Sequence, residues 1–152
     1  MDLLALSTAL VAIFAFISLG GGIFEHAVID RAWPNNPAII QPAQGGVKRV
    51  WFWLPVHVAF ELCLVVALFI GWGASDVRQA LLIALISHAA MRIWSAFDHI
   101  PKALAFERAA PGAIDADEAR AWTRRSLGRF PLALITSLAS LAAFGAACAA
   151  RM

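Results

Sequence analysis

Tyrosine is absent from the 152 residues, so no tyrosyl acid, base or radical operates here. Charge is scarce: Asp, Glu, Lys and Arg together make 14% of the chain, against roughly a quarter in an ordinary soluble domain. That scarcity, with a net charge of +2, excludes a disordered chain, a nucleic-acid-binding module and a typical soluble enzyme. Cysteine is limited to Cys63 and Cys148, each inside an apolar run. Neither a disulfide framework nor a cysteine zinc site follows from them. What the chain does have is apolar residues, 61% of it, with a mean hydropathy of +0.75. At about 20 apolar residues per membrane span, four spans nearly exhaust the length.

The apolar runs place those spans at 3–29, 50–73, 77–100 and 130–149, with loops at 30–49 and 101–129. The expected fold is a single all-α domain over 1–152, an integral membrane antiparallel four-helix bundle. The first run reads as a retained span rather than a signal peptide: no Lys or Arg precedes it, and it is longer than an h-region. Pro34, Pro37, Pro42, Gly45 and Gly46 punctuate the first loop. Ser75 or Asp76 is expected to cap the third helix, and Pro101 to close it. Asp115 to Glu118 reads as a capping box, and Pro131 fits either a new helix start or a kink. Ala139, Ala143 and Ala147 form a small-residue face on span four. Through it a homo-oligomer or a larger membrane complex is one partner expectation, beside the lipid bilayer itself and with no nucleic acid.

Positive charge sets the orientation. Loops one and three hold Arg31, Lys48, Arg49, Lys102, Arg108, Arg120, Arg124, Arg125 and Arg129, while the other side holds Arg78 and Arg151. The loops are therefore expected in the cytoplasm and both termini outside, in a plasma (bacterial inner) membrane.

Ionisable groups inside hydrocarbon cost at least ~2.5 kcal/mol each by insertion scales and are therefore few. Here they include all four histidines: Glu25 and His26 on span one, His57 and Glu61 on span two, and His88, Arg92, Asp98 and His99 on span three. His57 and Glu61 are four apart, with Trp53 a turn earlier, hence on one face. His88, Arg92, Ser95 and His99 make one stripe. At about 1.5 Å rise per residue, Glu61 and His88 lie roughly 14–16 Å deep and His57 and Arg92 roughly 10–12 Å. Three helices thus present matched polar levels. One such pair would serve helix register alone; this many point to a site.

Two chemistries stay open. A metal or haem (iron or copper) site needs facing His and Glu, and His57 with His88 is the nearest bis-His pair. A cofactor-free site needs a His base, a Glu and an Arg to take a proton from a lipophilic phenol or enol and hold its anion. For the second, His57 and His88 are the acid–base candidates, Glu25 and Glu61 orient them, and Arg92 faces the anion. His26, Trp53, Trp94, Ser95 and His99 are the expected substrate contacts. A non-catalytic membrane subunit is the rival from another class.

Gly21-Gly22-Ile-Phe-Glu25-His26, Trp33-Pro34, Phe52-Trp53 with Pro55 and His57, and Met91-Arg92-Ile-Trp94-Ser95 followed by His99-Ile-Pro101-Lys102 and Phe106-Glu107 carry a resemblance. They resemble small bacterial four-span proteins in or near the anthrone-oxygenase-like family. The resemblance implies an oxidoreductase or oxygenase acting on polycyclic phenols without a bound cofactor, with Glu25, His57 and Arg92 at recurrent positions. Four-span glutathione-handling enzymes carry an Arg- and Asn-rich second helix; here Asn35 and Asn36 are the only asparagines and lie in a loop. Gly20-Gly21-Gly22 has no P-loop lysine, which removes a nucleotide site.

Overall fold

A computed structural model describes residues 2–110 and 112–150. Among them there is no strand, and four helices are long and apolar enough to cross a membrane. They are α1 (Leu3–Asn35), α2 (Val50–Gly71), α3 (Ser75–Arg108) and α4 (Ala116–Ala149). Arg151, counted above on the outer side, lies outside the described residues.

Each helix follows from its sequence, yet three run further than hydropathy suggests. Asp2 starts α1, its carboxylate accepting from the Ala5 N–H at 2.8 Å. The α1 helix passes the expected end at residue 29 through a π turn at Glu25–Ile29 and finishes in a 3-10 turn holding Pro34. In α3, Pro101 does not end the helix. A π turn at Ser95–His99 precedes it, and Pro101 then takes the first turn of the resumed α-helix, where its missing N–H costs nothing. Neither Ser75 nor Asp76 caps α3: Ala74 holds the cap position, with no side-chain bond. Asp115 does cap α4, accepting from the Asp117 and Glu118 N–H groups. That helix continues through a 3-10 turn at Leu127–Arg129 into the apolar run, with Pro131 again in a first turn. The second and third spans also shift by two residues at an edge: α2 stops at Gly71 and α3 begins at Ser75.

The helices close most of a ring. α3 packs along α4, α4 along α1 and α1 along α2, while α2 and α3 touch only sparingly. Val11, Ala15, Phe60, Leu64, Leu81, Ala84 and Ala143 fill the core. Ala139 and Ala147 are buried with them. The small-residue face of α4 is therefore used inside the bundle, so the partner surface expected there is already occupied. What α4 turns outward is Leu134, Ile135, Leu138 and Leu141.

A second, smaller core lies at the charged end, where Trp33, Ile40, Phe106, Ala119 and Trp122 pack together. It is locked by the 36–49 connection. Gln41 is buried there and its amide donates to the Phe106 and Ala109 carbonyls, both at 3.0 Å. The two expected loops are thus largely ordered helical structure that builds a floor under the bundle.

Candidate functional site

Between the two cores lies a cavity of about 310 Å³. All four helices wall it, not the first three alone. From α1 come Ser18, Gly22, Glu25, His26 and Asp30; from α2 and its preceding residue, Arg49, Trp53 and His57; from α3, Met91, Arg92, Ser95, His99 and Glu107. From α4 come Trp122, Ser126, Arg129, Phe130 and Ala133. Ser18, Gly22 and Glu25 share a helix face, and all three reach the cavity. Both π turns lie on this wall, a common position for such turns. The slower winding of the turn in α3 faces Ser95 and His99 inward and leaves Asp98 outside against Arg125, at 3.5 Å.

Four further wall residues, Val50, Leu54, Ile100 and Leu104, are themselves exposed on the outside of the bundle. They belong to α2 and α3, the pair of helices that pack least. The cavity therefore opens sideways through an apolar mouth between these two helices.

Polar groups inside divide into paired and unpaired. Arg49 bridges two carboxylates, Glu25 at 3.1 Å and Glu107 at 2.9 Å. Glu25 also accepts from Trp53 Nε1 at 2.6 Å, and the Trp53 ring stacks on His57 at 5.5 Å. Glu25 is thus linked to His57 through the Trp53 indole. Asp30 accepts from Trp33 Nε1 at 3.1 Å and faces His26 Nδ1 at 3.6 Å. By contrast, His26 Nδ1, His57 Nδ1, both ring nitrogens of His99, Trp122 Nε1 and Arg129 Nε are buried without a hydrogen-bond partner.

Glu61 and His88 stand elsewhere. Glu61 Oε1 takes both His88 Nε2 and Arg92 Nε at 3.1 Å, but neither Glu61 nor His88 lines the large cavity. His88 borders a separate void of about 10 Å³, room for one water. The Glu61–Arg92 pair spans α2 and α3 just beyond the mouth, with side-chain exposures of 42% and 37%. Trp94 also misses the cavity: its indole donates to Asp98 at 3.3 Å, and its ring packs where Gly128 has no side chain.

The histidine rings of 57 and 88 are 5.7 Å apart, yet they front different spaces, and the one beside His88 is water-sized. A haem does not fit between them. Among the described residues no three His, Cys, Asp or Glu side chains are grouped to hold a metal ion.

Residues that sequence reasoning missed are Asp30, Arg49, Glu107, Trp122 and Arg129. Each sits outside the hydropathy-defined spans, in a stretch whose composition reads as a solvated loop. The available signal was periodicity carried past the span ends: Glu107 lies eight residues after His99, and Arg129 seven after Trp122.

Comparison with family models, with curated proteins and with solved structures found no match to this chain.

Proposed function

We propose that this chain is a membrane-embedded oxidoreductase or oxygenase that acts on a small lipophilic phenol or enol drawn from the bilayer. One observation carries the reading: a half-open, largely apolar cavity with a few convergent polar side chains opens between α2 and α3 toward the region that lipid would fill. Pockets of a few hundred Å³ with a few convergent polar groups are where ligands of this size bind.

In this reading His57 is the general base. Its Nδ1 has no protein partner, and stacking on Trp53 fixes the ring. It takes the phenol or enol proton, and the Arg92 guanidinium faces the resulting oxyanion. Dioxygen is the oxidant by the resemblance: a ring methylene becomes a carbonyl, one oxygen atom entering the product and the other leaving as water. His88 and Glu61 move from the catalytic set to positioning residues, since they hold Arg92 from behind. In this reading the charged end faces the cytoplasm, supported by the nine Lys and Arg of the two long connections.

No specific observation favours the non-catalytic subunit, whose expected docking face on α4 is buried. The test is oxygen uptake by purified protein in nanodiscs with anthrone as substrate. Uptake should depend on the protein and fall by about 10²-fold or more in His57→Ala, the usual scale for a lost general base. Equal rates in wild type and variant would remove the enzyme reading.

A further inference from the structure

The unpaired groups are not spread evenly over the cavity. His57 stands apart toward the middle of the bundle, its ring near those of Trp53 and His88. The others gather at the charged end, around one guanidinium. Three arginines line the cavity. Arg49 is neutralised by Glu25 and Glu107, and Arg92 by Glu61. Arg129 forms no ion pair with a described carboxylate. Its one hydrogen bond is a long one, from Nη1 to Ser95 Oγ at 3.4 Å, and its Nε has no partner. At the same end of the cavity, His99 is 2% exposed and Trp122 is 4% exposed, with rings 5.6 Å apart, and the ring nitrogens of both lack a hydrogen-bond partner; Asp98 Oδ2 stands 4.0 Å from His99 Nε2, and the Arg49 guanidinium lies over the Trp122 ring at 5.8 Å. Buried donors are seldom left unpaired in native structures. An unpaired guanidinium is the most costly of these. Glu25, Asp30 and Glu107 also line this end, but each is held by Arg49, Trp53, Trp33 or His26 and aimed at them.

We infer that Arg129, with His99 and Trp122, forms a head-group subsite for a carboxylate, so that the substrate is an amphiphile with one acidic head and a lipophilic body. This rests on the enzyme reading above and names its substrate class. A carboxylate offers two oxygens to a guanidinium fork and lone pairs left over for an indole and an imidazole N–H. The arrangement also orients the molecule. With its head at Arg129, the body reaches inward to His57, and the apolar mouth at Leu54 and Ile100 admits the lipophilic part. The volume of about 310 Å³ suits a tricyclic acid.

The test is equilibrium dialysis of the purified protein in nanodiscs of zwitterionic lipid, with empty nanodiscs as blank. The probes are anthracene-9-carboxylate and its methyl ester. The acid should bind at least tenfold more tightly than the ester, the scale of one charge-assisted contact. Arg129→Gln should bring the acid down to the ester's affinity while leaving the ester unchanged, which also shows that the variant is folded. Arg129→Lys should restore part of the preference. Arg125→Gln, on the outer side of the same helix and paired with Asp98, should leave it intact. Equal binding of acid and ester, binding of neither, or a preference that survives Arg129→Gln overturns the inference. So does displacement of the acid by phosphatidylglycerol placed in the nanodisc, which would assign the subsite to a lipid head group. His57→Ala should keep the acid preference and lose only oxygen uptake, so the two proposals fail separately.

Discussion

At the scale of single residues, depth along a helix was legible and direction was not. Counting residues from the span ends placed Glu61 and Arg92 within a turn of each other, and they meet at 3.1 Å. The same counting put His88 beside the site, yet its ring points to a space for one water. Spacing gives the face of a helix, but only packing decides which part of that face fronts a cavity. The shared oxygen of Glu61 makes a prediction. Arg92→Leu leaves Glu61 with His88 alone, and Glu61→Gln leaves Arg92 without its anion. Each single change should destabilise by about 1–3 kcal/mol, the cost of a stranded partner. The double variant should recover a good part of that loss, with a coupling energy of about 0.5–3 kcal/mol. Thermal unfolding of the four proteins in one detergent measures it, and strictly additive losses would show that the two side chains act independently.

At the scale of elements, the apolar cores of the spans were readable because hydropathy reports the medium. The extensions were not, because a polar helix end and a polar loop have the same composition. The π turns at Glu25–Ile29 and Ser95–His99 were also hidden, since nothing in a residue list announces one extra residue per turn. The 36–49 connection shows how much such a segment does. Gly46 sits against its own backbone: a Cβ there would overlap the Ala38 carbonyl and crowd Ile39 and Gln41. Backbone cannot swing aside as a side chain can. Gly46→Ala should therefore unseat the segment and with it the Gln41 amide that clasps the end of α3. The expected loss is about 2 kcal/mol or more, as for other backbone clashes, with faster proteolysis between α1 and α2. Gly20→Ala makes the control, since a Cβ there meets nothing, and inside a helix it should unfold no more easily than the wild type.

At the scale of the whole molecule, the asymmetry of the ring matters most. Three helix contacts are close and the fourth is loose, and the cavity lies behind the loose one. Ala143, fully buried on the close side, belongs to the fold: Ala143→Leu should cost about 1–3 kcal/mol by overpacking, without changing the oligomeric state. The loose side concerns entry. If ligands arrive through the mouth between α2 and α3, bulk added at its rim should slow arrival without touching the proposed binding groups at His57 and Arg129. Leu54→Trp and Ile100→Trp place that bulk on exposed rim positions, 58% and 43% accessible, where neither core is disturbed. Stopped-flow association of anthracene-9-carboxylate should slow severalfold in both variants. Dissociation should slow in proportion, leaving the equilibrium constant near the wild-type value, because a narrower door hinders exit as much as entry. Leu138→Trp, equally lipid-facing but on α4, should change neither rate. Unchanged association in the rim variants, with binding intact, would place the route at the charged end instead, past Arg49 and Glu107.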